Sequence, residues 1–195
     1  MADERMAVKS IMALSLLAGM AWACARSPES PGQALLGRMR RLAQAPALTL
    51  GLVQDTLEVS FKKDEEASHV LVTFYAGTPR PGSRFQGLIQ LVDCRVPTPR
   101  NTALAEPFVV VELRDAGGAP AASPGRSPGP LLASDVEARF GLPGSLLPAP
   151  PEDPDNSVSY IYKMGPRALW VSLERQHPDK VRSFSLHPLE DSRRP

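Results

Sequence analysis

The chain has 195 residues, with 43% hydrophobic and 22% charged residues and a formal net charge of +1. That length suits one medium domain or two small ones, and the balanced charge offers no field to attract nucleic acid. Its 2 cysteines, Cys24 and Cys94, exclude a disulfide-dense scaffold and any multi-cysteine metal site.

Residues 10–23, SIMALSLLAGMAWA, are uncharged and mostly apolar. The run is too short for a transmembrane helix and fits the apolar core of a secretory signal. Ahead of it, Asp3 and Glu4 offset Arg5 and Lys9, whereas a start at Met6 leaves the positive end such a signal carries. The segment ends in GMAWAC, with small residues at Ala21 and Ala23 and a cysteine directly after the cut. This resembles the lipobox of bacterial lipoproteins, although Trp22 is bulkier than the small residue usual there. The resemblance implies a signal peptide over 1–23, lipidation (palmitate-type acylation) of Cys24 and a flexible tether over 24–32. The expected location is then a cell envelope, with the chain lipid-anchored and facing the periplasm. Ordinary secretion with a free Cys24, and a buried apolar helix, stand as alternatives. Cys94, in LIQLVDCRV, reads as a small buried hydrophobe; if Cys24 is not acylated, a Cys24–Cys94 disulfide is open to it.

Residues 30–45 predict an amphipathic helix. Ser30 and Gln33 form an S-x-x-Q capping box, Pro31 fits the first turn, and Leu35, Leu36, Met39, Leu42 and Ala43 share one face. Packing on a sheet is its plain role. The alternative is that Arg38, Arg40 and Arg41, close behind a lipid anchor, touch anionic headgroups. Strand-like runs follow at 56–61, 69–76, 85–96 and 107–115, separated by turns and by the charged stretch KKDEEAS. The run at 69–76 is apolar on both faces and so reads as the more central. Residues 116–130, AGGAPAASPGRSPGP, read as a linker or exposed loop dividing a β-rich region (33–115) from a smaller unit (131–188).

The smaller unit opens on a helix in LLASDVEARFGLPG, with Ser134 and Glu137 as a capping box and Gly141 and Pro143 as stops. A Pro-rich loop precedes three strands at 158–164, 168–175 and 181–188, and residues 189–195 form a tail. The fold class expected is α+β: an antiparallel β meander with a preceding amphipathic helix, plus a smaller helix-and-three-strand meander unit. DVEARFGLP, the YIY strand and the LWVSLE and VRSF strands together resemble the small outer-membrane lipoproteins of the SmpA/OmlA type. That resemblance covers residues 131–188 and implies an envelope interaction module with no catalytic residue to carry over.

No catalytic constellation stands out. GRSPG at 125–129 matches the G-x-S-x-G elbow, but Pro128 lacks the backbone N–H an oxyanion hole needs after Ser127. His69, His177 and His187 have no i+3 or i+4 partner of metal-ligand type. The expectation is therefore no enzyme, no cofactor and no metal. Trp170 lies opposite Leu169, Val171 and Leu173 on its strand, and with Tyr160 and Tyr162 it forms the expected partner-binding set, alongside the sheet's edge strands. The function expected is a non-catalytic binding or assembly module of the envelope, acting on a membrane through its lipid anchor and on an envelope protein partner. The alternatives are a secreted soluble inhibitor or ligand-binding protein and, third, an envelope hydrolase.

Overall fold

A computed structural model describes residues 29–101, 106–114, 129–147 and 158–189. The first described helix, α1 (Pro31–Gln44), starts where the sequence places it. Ser30 Oγ accepts the Gln33 amide at 3.2 Å, and Pro31 occupies the first turn. Only half of the expected box forms. The Gln33 side chain instead donates to Asp135 Oδ1 at 3.4 Å and ties α1 to a later helix. Ala34, Leu35, Leu36, Met39, Leu42 and Ala43 are its buried stripe.

A second helix, α2 (Leu50–Leu57), lies where a strand was expected to begin. Thr49 Oγ1 caps it by accepting the Leu52 amide at 3.2 Å, and Val53 and Leu57, one turn apart, are buried. It stops at Glu58, the only non-glycine residue with positive φ among those described (φ 55°, ψ 40°). The left-handed turn is held by its surroundings. Glu58 accepts a hydrogen bond from Ser83 Oγ at 3.0 Å, and Arg38 and Arg84 each stand 3.7 Å from its carboxylate.

The strands are β1 (Val59–Asp64), β2 (Val72–Pro79), β3 (Ile89–Pro97) and β4 (Phe108–Leu113). Helix α3 (Ala133–Phe140) comes next, then β5 (Ser145–Leu147), β6 (Ser159–Met164), β7 (Arg167–Leu173) and β8 (Val181–Pro188). Helix α3 is capped differently from expectation: its N-cap is Leu132, whose amide donates to Asp135 Oδ2 at 3.0 Å, so Asp135 takes the place assigned to Glu137. Gly141 (φ 83°) ends it. Strand β5 arises inside the stretch read as a Pro-rich loop, giving the second meander four strands.

The eight strands among the described residues form one antiparallel sheet in the order β1-β2-β3-β4-β8-β7-β6-β5. Each meander runs inward from an edge, and the two meet where β4 pairs with β8. The fold is thus α+β with a helix ahead of each meander, and the two sequence regions share one sheet. Strand β2, expected to be central, lies next to the edge strand β1.

Among the described residues, the three helices pack on one face of this sheet. Val92, Cys94, Val109, Val111, Phe184, Leu186, Leu169 and Val171 point into that core from adjacent strands. Cys94 is free and fully enclosed, and burial pushes its thiol up to about 12. One charged side chain also lies within. Arg167, 1% exposed, donates from Nε to Glu106 Oε2 at 2.8 Å and from Nη1 to the carbonyls of Ala45 at 2.5 Å and Leu42 at 3.4 Å. Its Nη2 stands 2.6 Å from the same carboxylate oxygen as an ion-pair contact without hydrogen-bond alignment. The guanidinium therefore answers the carbonyl of Ala45 at the end of α1, adds a second donor to Leu42, and joins that end to β7 and to the residues just ahead of β4.

Candidate functional site

The other face of the sheet carries the most distinctive side-chain arrangement. Because the register is regular, Phe74 on β2, Arg95 on β3 and Phe108 on β4 stand directly side by side. The Arg95 guanidinium lies over both rings, 5.3 Å from the Phe74 centroid and 5.4 Å from that of Phe108. Extending the β4–β8 register brings His187 next to Phe108, with ring centroids 4.8 Å apart and planes 72° from parallel. His187, whose direct cross-strand partner is Ala168, then stacks diagonally on Trp170 of β7, at 4.1 Å and 24°. At the far end His69 tilts against Phe74 at 5.9 Å. The result is a continuous aromatic and cationic row running from β2 to β7. With strands spaced at about 4.8 Å, it spans roughly 19 Å.

The neighbouring rows on this face are more polar. Ala76, Asp93, Val110 and Ser185 follow the aromatic row, and then Leu91, Glu112, Ser183, Ser172 and Ser159. Ser159 and Ser172 hydrogen-bond through their hydroxyls at 3.0 Å, and Ser185 Oγ lies 2.9 Å from His187 Nε2. Most of these side chains are half-buried, while Arg95 is exposed. Burial alone lowers the pKa of His187 from its ordinary 6.5, keeping the ring neutral against its aromatic neighbours.

The residues expected to bind a partner do not share a surface. Trp170 lies on the open face, but Tyr160 and Tyr162 point to the helix side, opposite Val171 and Leu169. The period of two separates them, because Trp170 pairs with Ile161, the residue between the tyrosines. The arginines expected at a headgroup surface also diverge. Arg38 stands 3.7 Å from Glu58, whereas Arg40 and Arg41 are exposed, Arg40 facing a cleft beside α3. Cys24 and the Ser127 motif lie outside the described residues.

The edges of the sheet are poor templates for strand addition. Strand β1 ends in Lys62, Lys63 and Asp64, all exposed, and β5 has only 3 residues. In sequence β5 runs directly into Pro148, Pro150 and Pro151, which have no N–H to offer a ladder. The face, not the edge, is where this sheet has side chains suited to recognition.

Trp170 stands out in the sequence, whereas Phe74, Arg95, Phe108 and His187 do not. Their alternation with core residues was readable in each strand; which strands lie side by side was not. Among the described residues, no three of His, Cys, Asp and Glu converge as a metal site would require. No described helix is long and apolar enough to cross a membrane. No family model, curated protein or solved structure matches the chain.

Proposed function

We propose that this protein is a cell-envelope lipoprotein, tethered through Cys24, that works by binding a partner protein on the open face of its sheet. The observation that carries the binding part is the row Phe74–Arg95–Phe108–His187–Trp170. Clustered aromatic and arginine side chains are the composition favoured at the centre of protein interfaces. A row of this breadth suits another protein's surface better than a small metabolite, and the blunted edges direct the partner to the face. The tether rests on GMAWAC and on the polar segment after it. The order of a short helix and an antiparallel meander in α3 to β8 is in keeping with the SmpA/OmlA-type resemblance and with an assembly role.

The test joins the two parts. Cys24→Ser releases the protein from the membrane fraction, and retention there contradicts the anchor. Partner protein that co-purifies with the wild-type chain is lost from Trp170→Ala and Arg95→Glu under conditions where circular dichroism shows both variants still folded. Equal recovery with both variants contradicts the face.

A further inference from the structure

A second feature lies on the opposite side of the molecule, where α1, α3 and the β6–β7 turn leave a half-open cleft of about 550 Å³. Arg40 lines it from α1 and Arg139 from the last turn of α3. The tip of Arg139 reaches across to α1, its Nη2 being 3.2 Å from where a Cβ on Gly37 would sit. Gly37 and Arg40 are one helical turn apart, so both arginine side chains lie along the same stretch of α1. Neither makes an ion pair with a carboxylate among the described residues. Two arginines facing one cleft, neither in ion-pair contact with a carboxylate, form an oxyanion site, since the planar guanidinium donates pairs of hydrogen bonds matched to carboxylate and phosphate.

The rest of the cleft is of another kind. Phe140, Met164 and Leu142 contribute apolar wall, and Leu142 is 84% exposed, the most exposed large hydrophobic residue described. Tyr162 also lines the cleft; it is only 4% exposed, and its hydroxyl has no hydrogen-bond partner among the described residues. Burial, with smaller contributions from Glu137 and Tyr160, pushes that hydroxyl up to about 12, so it stays protonated and able to donate. A buried hydroxyl without a partner is a costly feature that a ligand oxygen would relieve.

We propose that this cleft binds an oxyanion carried on an apolar body, with Arg40 and Arg139 on the charged head, Tyr162 donating to it, and Phe140, Leu142 and Met164 against the apolar portion. The site is separate from the open face and does not depend on it.

Calorimetric titration of the full chain with decyl phosphate below its micelle concentration tests this, with decyl maltoside and inorganic phosphate as comparisons. Decyl phosphate saturates one site, and Arg40→Gln and Arg139→Gln each weaken it by about tenfold, the loss of a charge-assisted contact. Tyr162→Phe weakens it several-fold while the melting temperature of the free protein stays level or rises, because no hydrogen bond is lost. A purely structural tyrosine would instead lower the melting temperature and leave affinity alone. Absence of saturable binding, unchanged affinity in the Arg40→Gln/Arg139→Gln double variant, or equal binding of decyl maltoside overturns the proposal. Inorganic phosphate binding as tightly as decyl phosphate overturns its apolar half.

Discussion

His187 stacks on Trp170 with ring centroids 4.1 Å apart and planes 24° from parallel, joining β8 to β7 on the open face of the sheet. The histidine is held neutral there, since burial disfavours its charged form. The unfolded chain takes up a proton near pH 6.5 while the folded chain takes it up only at lower pH, so this group makes folding less favourable as pH falls from 6.5 toward the folded value. For one group the slope is at most about 1.4 kcal/mol per pH unit. The expected result is a melting temperature lower at pH 5 than at pH 7.5, with His187→Phe reducing the difference. A variant with the same pH dependence as the parent would show that the stack does not control it.

Arg167 governs the junction between the helix layer and the centre of the sheet. Truncation to Ala strands the Glu106 carboxylate and the Ala45 carbonyl and removes the second donor to Leu42, whose carbonyl keeps the Ala45 amide. Because the Glu106 side chain is 28% exposed and water can reach it, the loss is expected at about 1–3 kcal/mol, the cost of buried polar groups left without a partner. Chemical denaturation of Arg167→Ala measures it. Glu106→Gln, which keeps an acceptor beside the guanidinium, is the milder change of the two.

Gly77 is required by an aromatic neighbour and not by its backbone angles. It sits opposite Phe61 in the β1–β2 ladder, and a Cβ there would lie 2.6 Å from a carbon of that ring. Gly77→Ala is expected to cost about 1–3 kcal/mol through overpacking. Adding Phe61→Leu to the same chain should return much of that loss in denaturant titration; if it returns none, the clash is not the cause.

Arg95 contributes to stability through two rings at once. Cation–π contacts at exposed sites are worth about 0.5–1 kcal/mol each, so Arg95→Ala should lose about twice that, and Arg95→Lys part of it. A double-mutant cycle between Arg95 and Phe108 reads the coupling directly. Zero coupling would mean that the 5.4 Å approach carries no energy.

Local chemistry was legible in the sequence, and long-range pairing was not. The Ser30 cap, the buried stripe of α1 and the run of β8 could be read because each depends on near neighbours. Helix α2 was hidden by the alternation of Leu57, Val59 and Phe61, which imitates a strand across the turn at Glu58. A signal was present in Thr49 as a cap and in the four-residue spacing of Val53 and Leu57. The two-sided apolarity of β2 suggested a central strand, yet Phe74 and Ala76 belong to the open face of a strand next to the edge. Arg167 looked like a turn residue in GPR, because its partners lie 61 and more than 100 positions away. The row from Phe74 to Trp170 exists only because β4 pairs with β8, a contact no short-range pattern encodes.

Site-specific photo-crosslinking in the cell envelope tests the central claim most directly. A photoreactive residue at Val110, in the middle of the open face, is compared with one at Ser134, exposed on α3 on the helix side. The account predicts one discrete crosslinked protein from position 110, lost when Trp170→Ala is added, and none from position 134. A crosslink from position 134 alone, or one from position 110 that survives Trp170→Ala, contradicts it.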